Sequence, residues 1–256
     1  MNIKVSAKSH LGKIRNKNED NLYVLGQIME EEMCNIFSSD AEDDTESGSL
    51  LGVFDGMGGL HCGEYASYLT AKTVQAEAEN LPKSESEAGA FLQEICKKSN
   101  DLLCKEMRVS LKKRIGCTLS VLYMLGQTVF VCDVGDSPIF RYRDEKLLQI
   151  SKEHTEKELY EKLNVDKPKR KYHLTQNIGI FPDEMELEPY IAKGEMQVGD
   201  QYLICTDGLT DMVGEEEICA ILSLACDEDQ KARMLMHSAL ENGGNDNITI
   251  ILGKLY

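Results

Sequence analysis

Short apolar runs that meet an aspartate recur along this chain. Leu50-Leu51-Gly52-Val53-Phe54 ends at Asp55, and Val129-Phe130-Val131-Cys132 leads to Asp136. Tyr202-Leu203-Ile204-Cys205 leads to Asp207, and Asp246 stands just before Ile248-Thr249-Ile250-Ile251. β-branched and aromatic runs of this length read as buried strands. Further strands are predicted over 3–7 and 21–25, and over 117–125 and 128–134, where Gly126-Gln127 is a hairpin signal. Others are expected over 137–142, 147–151, 187–192, 202–205 and 247–253. From Gly63 the period changes: Tyr65, Ala66, Leu69, Thr73 and Ala76 recur at spacings of three and four, which predicts a helix. Pro82 and Ser84 mark a break, and a second long helix follows with Phe91, Ile95, Leu102, Leu103 and Met107 on its apolar side. Two more helices are expected before the last strand, over 215–224 and from the N-cap Asp227 to near Gly243. Hairpin-linked strands with paired helices argue an α+β domain, not a doubly wound parallel sheet.

Length and composition narrow the choices. The 256 residues suffice for one large domain, and no linker-like stretch divides them, so residues 1–256 are expected to form a single unit. No apolar stretch approaches a membrane span, and Met1-Asn2-Ile3-Lys4-Val5-Ser6 enters a strand-like alternation with no signal-peptide apolar region, so a cytoplasmic chain without a membrane partner is expected. The nine cysteines include no Cys-x-x-Cys pair and sit mostly in apolar runs, which fits buried free thiols in a reducing compartment. A net charge of −16 argues against nucleic acid as a partner. Much of that charge lies over 30–46, which reads as a solvated acidic loop insertion. The run Lys167-Pro168-Lys169-Arg170-Lys171 is its basic counterpart, either an ordinary surface loop or a patch that draws in acidic substrates.

The aspartates carry the chemistry. A carboxylate at the end of a buried strand sits on rigid backbone, and several of them at one sheet edge repel one another. Divalent cations relieve that repulsion, and an all-oxygen donor set suits Mg²⁺ or Mn²⁺. Asp-Gly after a strand is by itself only a turn. Context adds more: Gly12-x-x-Arg15-x-x-Asn18-Glu19-Asp20, Asp55-Gly56-Met57-Gly58-Gly59, Gly135-Asp136-Ser137, Thr206-Asp207-Gly208-x-x-Asp211 and Gly243-Gly244-Asn245-Asp246-Asn247. In this order, from Gly12 to Thr249, the motifs resemble those of the metal-dependent serine/threonine protein phosphatases of type 2C, bacterial members in particular.

The resemblance implies two antiparallel sheets packed as a sandwich with helices on both outer faces, and a cleft at one end. It implies hydrolysis of phosphoserine and phosphothreonine by attack of a metal-bridging hydroxide. Asp55 would bridge two Mn²⁺ or Mg²⁺ ions, the Gly56 carbonyl would bind one of them, and Asp207 and Asp246 the other. Glu19 and Asp20 would act around the site through bound waters. Asp136 and Asp211 match positions associated with a third, weaker ion. Arg15 looks like the phosphate-binding arginine, whose fork matches two phosphate oxygens. Expected partners are phosphorylated protein substrates of a serine/threonine kinase, met by a monomer. Met57 stands where many eukaryotic members have a histidine, which leaves the general acid unassigned. His61 is expected to be a surface histidine, and His154 a structural hydrogen-bonder.

Two other phosphate chemistries are excluded. No cysteine is followed six residues later by arginine, so the thiolate phosphatase motif is missing. There is no Gly-x-x-x-x-Gly-Lys-Ser/Thr loop. The remaining alternative is a phosphatase-like binding or regulatory module with an impaired site. Retention of Arg15, Asp55, Asp207 and Asp246 favours an enzyme.

Overall fold

The computed structural model describes residues 1–30, 36–58, 62–110, 114–166 and 171–256. Its strands are β1 (Asn2–His10), β2 (Asp20–Val24), β3 (Gln27–Ile28), β4 (Ile36–Asp44), β5 (Ser49–Gly58), β6 (Ile115–Cys117), β7 (Leu119–Leu125), β8 (Thr128–Val134), β9 (Ile139–Arg143), β10 (Lys146–Gln149), β11 (Tyr190–Glu195), β12 (Gln201–Cys205) and β13 (Ile248–Leu255). The helices are α1 (Gly63–Ala78), α2 (Glu85–Ser110), α3 (Lys157–Lys162), α4 (Asp207–Thr210), α5 (Glu215–Ser223) and α6 (Glu228–Glu241). Among the described residues no helix is long and apolar enough to cross a membrane.

Two antiparallel sheets result, one in the order β10-β9-β12-β13-β1-β4, the other in the order β11-β8-β7-β5-β2-β3, with β6 paired to the end of β5. Strand alternation dictates how they stack. Ile3, Val5, Ala7, Ile204 and Ile251 of the first sheet meet Leu22, Val53, Leu122 and Val131 of the second in a shared core. The opposite face of the second sheet, with Phe54, Val121 and Cys132, packs on Ala66, Val74, Leu92 and Ile95 of α1 and α2. The opposite face of the first, with Leu203, Ile248 and Leu252, packs on Ile218, Leu235 and Ala239 of α5 and α6. Both faces of each central strand are therefore buried, which is why these strands read as continuous apolar runs. The expected α-β-β-α sandwich is the observed one.

Within 30–46, residues 31–35 lie outside the described residues, and the segment 36–44 corrects the expectation of a solvated loop. Residues 36–44 form edge strand β4, paired with all of β1 from Asn2↔Asp44 to His10↔Ile36. Its alternation is simply acidic on one side: Asp40, Glu42 and Asp44 are exposed, while Phe37 packs against the inter-sheet core. Charges on an edge strand oppose edge-to-edge pairing with another sheet. Low strand propensity of Asp and Glu hid the element in the sequence.

Candidate active site

Antiparallel register brings the first two acids together. β2 pairs with β5 so that Asp20 lies opposite Asp55. Asp55 does not end its strand, as the apolar run suggested. The ladder continues, because β6 takes over as partner from Gly56 to Gly58. At the changeover the Asp55 amide donates to Thr118 Oγ1 at 2.9 Å. Gly56 is a packing requirement: a Cβ there would lie 2.0 Å from the Gly63 carbonyl oxygen. After β8 the chain turns at Gly135, with φ +120°, and an added Cβ would meet Thr118 Cγ2 at 2.6 Å. That turn presents Asp136 on the same side as Asp55.

The other sheet contributes Asp207, at the start of the short α4 that follows β12, and Asp246, just before β13. Asp55, Asp136, Asp207 and Asp246 are all half-buried, and Asp136 and Asp207 line one cavity. Asp20 lies beneath them, only 3% exposed. Two cations of the chain sit on this group. An Arg15 Nη donates to Asp246 Oδ2 at 2.7 Å, and Lys171 Nζ donates to Asp207 Oδ2 at 2.6 Å and also contacts Asp211. Among the described residues no three His, Cys, Asp or Glu side chains are already drawn together tightly enough to ligate an ion. Arg15 and Lys171 hold the acids instead.

Electrostatics follow from this crowding. Burial pushes Asp55 well above the carboxylate range, and Asp20, Asp207, Asp136 and Asp246 each push it further. Burial likewise raises Asp20 to about 7, against the hydrogen bonds of Thr249 and Thr206. Asp136 rises to about 7 through burial and Asp207, partly offset by Lys171. Asp207 is raised by burial, with Lys171 opposing. Arg15 is raised, chiefly by its bond to Asp246. A folded pKa above the unfolded one favours folding fully below the unfolded value, near 3.8, and that stability is lost as pH rises through the folded value. In chelator, the melting temperature is therefore expected to fall between about pH 5 and about pH 8, and a divalent ion to flatten that slope. A flat profile in chelator, read by differential scanning calorimetry, would remove this account of the acids.

Asp20 is held by groups that sequence reasoning gave no role. Its Oδ2 accepts from Thr206 Oγ1 at 2.8 Å and from Thr249 Oγ1 at 2.7 Å, so a carboxylate of one sheet is tied to β13 of the other and to the residue that follows β12. Thr249 Oγ1 also meets Ser9 Oγ at 2.8 Å, and Asn18 Nδ2 donates to Ser9 Oγ. Asn247 organises the Arg15 loop. Its side-chain amide donates to the carbonyls of Leu11 and Lys17, and its Oδ1 accepts from the Glu19 amide at 2.7 Å. The available signal was a hydroxyl inside an apolar strand, Ile248-Thr249-Ile250. Thr249→Val leaves Asp20 short of a donor in a buried setting and is expected to destabilise the fold by about 1–3 kcal/mol. An unchanged urea midpoint would show that the bond contributes nothing net.

The remaining candidates fall as follows. Glu19 is half-buried, raised by burial and then by Glu64, and packs against Gly63, where a Cβ would lie 2.6 Å from its carboxyl. Asp211 is exposed and follows α4, its amide bonded to the Asp207 carbonyl. Met57 borders a neighbouring groove with Ile115, Asn177 and Ile180. His154 is a hydrogen-bonder as expected: its Nδ1 accepts from the Gly135 amide at 3.2 Å and its own amide donates back to the Gly135 carbonyl. His61 and residues 167–170 of the basic run lie outside the described residues. Lys171 is described, and it points into the acid cluster rather than lying along an open patch.

Known proteins share this architecture. The sequence profile described as protein phosphatase 2C matches residues 35–241. The chain is 26% identical over 256 residues to the serine/threonine protein phosphatase PstP of Mycobacterium tuberculosis, covering 99% of this chain and 45% of PstP. It thus spans about half the length of that relative. It is 28% identical over 251 residues to the serine/threonine phosphatase Stp of Listeria monocytogenes serotype 4b, covering 94% of this chain and 91% of Stp. The crystal structure of the PstP catalytic domain in complex with two manganese ions superposes with a TM-score of 0.80 at 25% identity, covering 100% of this chain and 99% of that one.

Proposed function

This chain belongs to the protein phosphatase 2C family, and on that premise we propose that residues 1–256 form one catalytic domain that hydrolyses phosphoserine and phosphothreonine in proteins. The observation that carries this reading is the convergence of Asp20, Asp55, Asp136, Asp207 and Asp246, from both sheets, on one field that raises Asp55. Burying so many like charges is costly unless cations join them.

The donor set fits two Mn²⁺ or Mg²⁺ ions: all oxygen, mostly carboxylate, with a glycine carbonyl. Asp55 would bridge them, Gly56 would complete one site, and Asp207 and Asp246 the other, with Glu19 and Asp20 acting through water. When bound, such ions lower the pKa of a water nucleophile and clamp phosphoryl oxygens for in-line displacement. The protein's own residues do the rest. Asp20, tied to Thr206 and Thr249, keeps the two sheet ends in register beneath Asp55. Asn247 holds the loop that carries Arg15. Arg15 is half exposed, so its fork is free to exchange Asp246 for two oxygens of a substrate phosphate.

The substrates we propose are phosphoproteins made by a serine/threonine kinase, met by a monomer in the cytoplasm. All the described cysteines are free, including Cys96 and Cys132, whose sulfurs lie 3.3 Å apart, which suits a reducing compartment. The test is release of phosphate from a phosphothreonine peptide. Turnover with Mn²⁺, lost on chelation and restored by the ion, supports the enzyme. No turnover with Mn²⁺ demonstrably bound would leave the impaired binding module.

A further inference from the structure

Lys171 carries an ammonium into the acidic cleft from the segment that follows α3. It makes contact with both Asp207 and Asp211. Together with Asp136, Glu153 and Thr155 these residues line a cavity of about 130 Å³. Four carboxylates around so small a volume need positive charge. Asp207 and Asp246 are engaged elsewhere in the proposed two-ion site, whereas Asp136, Glu153 and Asp211 are left to this cavity. The only cationic side chain among the described lining residues is Lys171. An ammonium offers three donors, and its tether gives it an effective concentration of the order of millimolar, which a free ion must match.

We propose that Lys171 takes the place of a third divalent cation in this chain: a tethered cation that holds Asp207 and Asp211 and closes the Asp136–Glu153–Asp211 cavity to Mn²⁺ or Mg²⁺. This rests on the two-ion reading above. Lys171 Nζ donates to Asp207 Oδ2 at 2.6 Å, which sets its charge beside a proposed ligand of the two-ion site. Being monovalent, it leaves the cavity short of neutrality, so its removal should open a site with the charge a divalent ion needs. Lys171 is a charge-compensating residue in this account, with no part assigned in bond breaking.

The experiment counts Mn²⁺ bound to the full 256-residue chain, by equilibrium dialysis with metal analysis. Wild type is expected to bind two ions, Lys171→Met three, and Lys171→Arg two. In chelator, Lys171→Met is expected to melt below wild type and to gain more from added Mn²⁺. The Lys171 side chain is 54% exposed, so replacing it empties no core; should Lys171→Met fold poorly, Lys171→Gln tests the same loss of charge. Equal counts in wild type and the neutral variant, whether two or three, would overturn the role of Lys171 and leave the two-ion reading standing. A folded wild type that takes up no Mn²⁺ would overturn both.

Discussion

Asp55→Asn is expected to lose activity and gain metal-free stability at once. For activity, Asp55 is the proposed bridging carboxylate. Losing several kcal/mol of charge stabilisation there corresponds to a fall of about 10²–10³ in turnover on a phosphothreonine peptide. For stability, the largest influences on the Asp55 carboxyl act against its charge: burial first, then Asp20, Asp207, Asp136 and Asp246. The folded metal-free chain must either carry that charge at a cost or hold a proton that the unfolded chain releases more readily. Asparagine is neutral and removes the cost. The variant should melt above wild type in chelator, with a gap that widens as pH rises from the unfolded pKa through the raised folded one. In excess Mn²⁺ the order should reverse, because only wild type gains the full binding energy. A purified Asp55→Asn protein with wild-type turnover would end the assignment of this site.

Arg15→Ala is expected to act on binding more than on chemistry. The guanidinium is half exposed and rests on Asp246 at 2.7 Å, at the rim of the acid group. Charge-assisted hydrogen bonds contribute about 1.5–3 kcal/mol each, so its loss should raise KM for a phosphopeptide by about 10- to 100-fold with a smaller change in kcat. Arg15→Lys should recover only part of this, because a point charge lacks the two-pronged fork. Metal-free stability should change little, since exposed ion pairs contribute about 0–1 kcal/mol. An unchanged KM in steady-state kinetics would take Arg15 out of phosphate binding.

Legibility in the sequence tracked how local each cause was. Strands β5, β7, β8, β12 and β13 announced themselves because both their faces are buried, and their sequences are mostly apolar. Strand β4 did not, because its stability comes from pairing with β1 and its exposed positions are acidic. The extension of β5 past Asp55 depended on β6, more than fifty residues away, arriving as a new partner. Likewise Asp211 and Lys171 are forty residues apart, and nothing near either residue foretold their contact.

The sequence by itself determined the α+β class, the placement of Asp136, Asp207 and Asp246 next to strand ends, and the Arg15 loop that precedes Asp20. These follow from side-chain period, turn chemistry and motif order, which are properties of neighbouring residues. Only the tertiary structure decided that Thr206 and Thr249 share Asp20, that Asn247 ties down the Arg15 loop, and that Lys171 sits on Asp207 and Asp211. Each of those contacts joins segments brought together by sheet register and by the stacking of two sheets. Hydrogen bonds and Coulomb forces act over a few ångströms in space, whatever the separation along the chain.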